Sequence, residues 1–145
     1  MIVQKVLNNS LVLSMDDDNR EVIVMGKGIG FNSRPGDAIA PEKIEKLFVT
    51  QALGARSGYL EALSAIPDEV IEMAAMIISR ANMQLASKVR EQIFFTLADH
   101  LTFAIERSRK GIAIQNRLLP EVRRFYPQQF RVASEAVTII RQQYG

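Results

Sequence analysis

Hydrophobic and polar positions change their period once along this chain, close to residue 50. Before that point the apolar runs are short. Ile2–Leu7 ends in the trio Asn8-Asn9-Ser10, Leu11–Met15 ends in Asp16-Asp17-Asp18-Asn19, and Glu21–Met25 ends in glycines at positions 26, 28 and 30. Short runs rich in β-branched residues, closed by turn formers, read as strands. Pro35-Gly36-Asp37 is a further turn, and Ile44–Val49 is a last strand, although Glu42 and Lys43 equally fit the start of a short helix. Four short strands with tight turns predict a small antiparallel sheet. A sheet of this size buries little core alone, so it is expected to dimerise over its apolar face.

From Thr50 to Gly58 the residues become small and glycine-containing, which reads as a linker. After it the period is helical throughout. Pro67-Asp68 opens a helix with Val70, Met73, Ala74, Ile77, Ile78 and Ala81 at helical spacing. A second helix is expected from about Lys88, with Ile93, Phe94, Leu97, Leu101, Ala104 and Ile105 on one face and Gly111 as its stop. Ile112–Tyr126 predicts a shorter helical stretch interrupted near Pro120. Gln128–Tyr144 predicts a last helix with Phe130, Ala133, Val137 and Ile140 turned inward. The fold class is therefore α+β in two domains: a four-stranded antiparallel sheet over 1–53, a linker over 54–60, and an all-α bundle over 61–145.

Composition narrows the chemistry. The chain has 145 residues and no cysteine, which excludes disulfides, thiolate catalysis and Cys-based metal sites. Its start lacks a signal-peptide layout and no apolar run is long enough to span a bilayer, so a cytoplasmic protein without membrane insertion is expected. Net charge is only +2, and residues 1–55 hold six Lys and Arg against seven Asp and Glu. A nucleic-acid footprint, where present, must therefore come from geometry, with Asp16–Asp18 held away from the ligand.

One histidine and no recognisable carboxylate pair leave triads and metal clusters short of members, so no enzyme, metal or cofactor is expected. A dinucleotide fingerprint fails because Phe31 is followed by a Pro-Gly turn rather than a helix N-terminus. Alternate glycines do let another backbone approach closely, and Lys27 and Phe31 add a cation and an aromatic ring to that bare backbone. Unpaired bases on a phosphate chain fit such a surface. Taken singly, the glycines read as a bulge or strand crossing, Phe31 as a core ring and Asn8-Asn9 as a hairpin turn. Together with Lys5, they fall on turns that an antiparallel sheet can gather on one rim.

The segments KVLNNS (5–10), EVIVMGKGIGF (21–31), PGD (35–37) and IEKLF (44–48) resemble the co-antiterminator RNA-binding domain of the BglG/SacY transcriptional antiterminators. IPDEV (66–70), LADHLTFAIER (97–107) and GIAIQNRLLPEVRRFYP (111–127) resemble that family's first phosphotransferase-system (PTS) regulation domain. The resemblance implies a homodimer that binds an antiterminator hairpin in nascent mRNA and prevents the overlapping terminator from forming, so that sugar-utilisation genes are transcribed. It implies RNA contacts at Lys5, Asn8, Ser10, Gly26, Lys27, Gly28 and Phe31. Serine stands at position 10 where asparagine is usual, and lysine at 27 where arginine is frequent, which keeps charge but loses the bidentate fork. It also implies a phosphoacceptor at His100, beside Asp99, with HPr or a sugar permease EII as phosphate donors. On the helix Thr96, His100, Phe103 and Arg107 share one stripe, where a histidine unaided by the family is ordinarily half-buried and hydrogen-bonded. Family members carry two regulation domains with two histidines in each. This chain is thus expected to hold a C-terminally incomplete first domain. The competing reading is a phosphoacceptor and dimerisation module that binds no RNA.

Overall fold

A computed structural model describes residues 1–50, 58–90, 93–112 and 117–144. Strands β1 (Lys5–Val6), β2 (Leu11–Met15), β3 (Glu21–Met25) and β4 (Lys46–Val49) form one antiparallel sheet in the order β1-β2-β3-β4. Leu13 faces Lys5 on one side and Ile23 on the other, and Ile23 in turn faces Phe48. The first apolar run yields only a two-residue strand: the Gln4 N–H still donates to the Leu13 carbonyl at 2.8 Å, and before it the chain turns to the 36–38 segment. Ile2 instead bridges Ala38, while the Val3 N–H donates to the Asp37 carbonyl at 2.9 Å and the Val3 carbonyl accepts from the Gly36 N–H at 2.8 Å. Both readings of residues 41–49 are realised: Pro41–Lys43 is one 3₁₀ turn and β4 follows it.

Val12, Val22 and Val24 pack on one face with Val3, Ile29 and Ile39. The opposite face carries Leu11, Leu13, Ile23 and Phe48, and these are buried as well. Strict alternation is therefore lost in β2 and β3, since both faces are covered within one chain. The expectation that a second copy must cover a bare face does not follow from this arrangement.

The chain divides into compact units at Met1–Ile71 and Glu72–Gly145. The first takes in the sheet, helix α1 (Tyr59–Ser64) and the first turn of helix α2 (Asp68–Gln84), with Leu63, Ile66, Val70 and Ile71 buried. Positions 58–60, expected as linker, are the entry to α1: Gly58 takes a left-handed φ of 87° and Tyr59 begins the helix. Positions 54–57 lie outside the described residues.

The second unit holds the rest of α2 with α3 (Ile93–Arg109), α4 (Leu119–Phe125) and α5 (Pro127–Tyr144). Residues 88–90, expected to be helical, are not. The Asn82 side chain accepts the Val89 N–H at 2.7 Å and holds the connection out of helical geometry. α3 buries Phe94, Phe95, Ala98, Leu101 and Ile105. It stops at Gly111 (φ 74°), where the Ile112 N–H reaches back to the Arg107 carbonyl at 3.0 Å, the six-to-one bond of a Schellman cap. Pro120 lies in the first turn of α4, where its missing N–H costs nothing. In α5 the inward stripe differs from expectation. Val132 is its buried residue, while Ala133 and Val137 face solvent.

Candidate nucleic-acid interface

The two loops that the sequence singles out are joined by main-chain bonds. The Gly26 N–H donates to the Ser10 carbonyl at 3.0 Å, and the Gly30 N–H donates to the Asn9 carbonyl at 2.9 Å. Such contacts require bare α-carbons. A β-carbon at Gly26 would collide with the Lys43 carbonyl oxygen, and one at Gly30 with that of Asn8. Gly28 does different work: nothing lies near its missing side chain, but its φ of 69° is left-handed. The loop is closed internally by Ile29 N–H to Gly26 O at 3.2 Å, Phe31 N–H to Gly28 O at 3.1 Å and Ser33 Oγ to Ile29 O at 2.8 Å.

On this pinned loop Phe31 is 64% exposed, which is the reverse of the core ring that the residue type alone suggests. Lys27 is exposed beside it, its N–H 3.4 Å from Glu45 Oε1, and Lys5 is exposed on β1. Asn9 also faces solvent. The remaining two expected contacts are turned inward. Asn8 is half-buried and Ser10 is buried, and both bond to the corner between α1 and α2. Asn8 Nδ2 donates to the carbonyls of Leu63 (3.2 Å) and Ile66 (3.4 Å), and Ser10 Oγ donates to Asp68 Oδ1 (2.9 Å). Sequence reading had no access to Leu63, Ile66 and Asp68 as partners, because they lie more than fifty residues away. Thus Gly26, Lys27, Gly28 and Phe31 share one loop, Lys5 is exposed on β1, and Asn8 and Ser10 are turned inward on the turn stitched to that loop.

The densest run of acids lies away from this rim, although Glu45 stands at it, its carboxylate 3.4 Å from the Lys27 backbone nitrogen. β2 and β3 place Leu11 opposite Met25 at the glycine end, and Met15 opposite Glu21 at the other. The acidic turn Asp16–Asp18 is therefore a strand length away, about 14 Å, beyond the screening distance of about 8 Å at physiological salt. It is also partly compensated by Arg20. The Arg20 N–H donates to Asp16 Oδ1 at 2.8 Å, and the guanidinium pairs with Asp16 (2.8 Å) and Asp18 (3.1 Å). The backbone N–H of Arg20, seconded by its side chain, holds the Asp16 carboxyl below the usual carboxylate range.

The other expected site residue, His100, lies in the second unit on α3. It is exposed rather than half-buried, as are Asp99, Thr96 and Phe103. Arg107, about 10 Å further along the axis, shares its stripe. Among the described residues no group of three or more His, Cys, Asp or Glu is placed to hold a metal, and no helix is long and apolar enough to cross a membrane.

Comparison with known proteins agrees with both halves of this geometry. Residues 1–54 match the model of the CAT RNA binding domain, and residues 75–145 match that of the PRD domain. The beta-glucoside operon antiterminator of Dickeya chrysanthemi is 39% identical over 145 residues, covering 100% of this chain and 51% of that protein. The transcription antiterminator LicT of Bacillus subtilis is 34% identical over 145 residues, covering 100% and 52%. The chain thus spans about half the length of these curated relatives. The crystal structure of GlcT CAT-PRDI superposes with a TM-score of 0.82 at 27% identity, covering 99% of this chain and 86% of that one. The sheet with its stitched turns, the helices that follow it and these matches together assign the chain to the family of RNA-binding transcriptional antiterminators built from a CAT RNA binding domain followed by a PRD domain.

Proposed function

We propose that this chain is a sequence-specific RNA-binding antiterminator that acts in the cytoplasm. It holds an antiterminator hairpin in nascent mRNA and so prevents the terminator from forming. The observation that carries the reading is Phe31, an exposed ring on a loop pinned by main-chain bonds and flanked by Lys27. A ring so placed stacks on an unpaired base, an interaction worth about 1–3 kcal/mol. Filter binding with an RNA hairpin bearing internal loops tests it. Phe31→Ala is expected to weaken retention about tenfold or more with the melting temperature unchanged, and Lys27→Ala to weaken it further. Retention indifferent to both substitutions would sink the rim as the site.

Regulation is proposed to run through His100, phosphorylated by phosphotransferase-system proteins such as HPr or a sugar permease EII. A phosphoryl group there adds up to two negative charges to an exposed stripe. Incubation with those proteins and labelled phosphoenolpyruvate is expected to label the native chain and leave His100→Ala unlabelled. Homodimerisation is proposed on the apolar residues other than Phe31 that the first unit leaves exposed, Met1, Ile2 and Leu47. The second reading, a phosphoacceptor and dimerisation module without RNA binding, is favoured by one observation: the Asn8 and Ser10 side chains are engaged inside the chain. The same filter assay separates the two.

A further inference from the structure

The side chains of Asn8 and Ser10 already have partners. Both hydrogens of the Asn8 amide have carbonyl acceptors, at Leu63 and Ile66, its Oδ1 accepts the Ser10 N–H at 2.9 Å, and the Ser10 hydroxyl donates to Asp68. An amide nitrogen has two hydrogens and a hydroxyl has one, so neither side chain retains a donor for a base edge or a phosphate. The groups that occupy them have the chemistry of the absent ligand. Two carbonyl oxygens stand where base carbonyls would accept from an asparagine, and a carboxylate stands where a phosphate oxygen would accept from a serine. The Asp68 charge also opposes the approach of a phosphate chain to this turn. Asp68 is the first residue of α2, an unbroken helix whose first turn lies in the unit of the sheet and whose remainder lies in the second unit. A tilt of that helix displaces the carboxylate from the turn.

We propose that the Leu63–Asp68 corner is an intramolecular mimic of RNA, which keeps Asn8 and Ser10 occupied until α2 moves. The inference rests on the RNA-binding reading above and adds to it the element that opposes binding. It is tested on the whole chain with the hairpin of the filter assay. Asp68→Ala, which removes both charge and acceptor, is expected to bind about three- to tenfold more tightly. Asp68→Asn, which removes the charge and keeps an acceptor for Ser10, is expected to gain less. Equal gains in the two variants would assign the effect to charge alone and overturn the mimic. Hydrogen exchange on the unsubstituted chain supplies a readout that does not depend on the variants folding. RNA is expected to lower the protection of amides 66–71 as the corner lifts. Amides there that become better protected, or an Asp68→Ala chain that binds no more tightly, would overturn the mimic and leave RNA binding intact. RNA retained by none of the three proteins would overturn the RNA reading and the mimic with it.

Discussion

At Gly26 a single methyl group would run into the carbonyl oxygen of Lys43, whereas at Gly28 the same methyl meets open space and only the left-handed backbone objects. The two positions therefore predict different costs. Gly26→Ala forces main chain against main chain and is expected to lower stability by about 2–4 kcal/mol, as the larger single substitutions do. Gly28→Ala is expected to cost about 1 kcal/mol, the penalty for an L-residue in the left-handed region. Urea denaturation of the two variants measures both. The alternation of glycines was visible in the sequence, and so was the aromatic ring beside them. Which glycine meets another backbone was not, because Lys43 and Asn8 reach these positions only through sheet closure. For the same reason the inward engagement of Asn8 and Ser10 was invisible, since it depends on a helical corner far along the chain.

Elements whose signal is local were legible. β2 and β3 span the residues that their turn formers delimit, and Gly111 ends α3 as its position predicts. Elements that depend on partners were read less well. β1 is short because Ile2 finds Ala38, and the first two residues of α1, Tyr59 and Leu60, fall in the stretch expected as linker. In α5 two stripes of apolar residues compete at helical spacing, one through Phe130, Ala133 and Val137 and one through Val132, Ala136 and Ile139. The period is the same, so only packing chooses between them. Val132→Ala, at a residue 9% exposed, is expected to cost about 1–2 kcal/mol from lost methyl burial. Val137→Ala, at 46% exposed, is expected to stay within about 0.5 kcal/mol. Thermal melts of the pair test the phase of the helix.

Over the whole molecule the net charge of +2 understates what a ligand meets. Three adjacent acids of the first unit lie at the Asp16–Asp18 turn, at the far end of β2 from the glycines, while Lys27 lies at the glycine end beside Glu45 and Lys5 lies opposite Leu13, the middle residue of β2. With two lysines on the phosphate chain of looped-out nucleotides, log Kobs is expected to fall against log salt with a slope of about −1.4. A slope steeper than about −3 would bring cations beyond Lys5 and Lys27 into the contact. The stitching of the two turns through Gly26 to Ser10 and Gly30 to Asn9 has a consequence for divergence within the family. Because these bonds use carbonyls and amides alone, Asn9, Lys27 and Phe31 are at liberty to be exchanged without unfastening the platform. On the RNA-binding reading proposed above, such proteins acquire new transcripts by altering a few outward side chains, on a chassis that does not register the change.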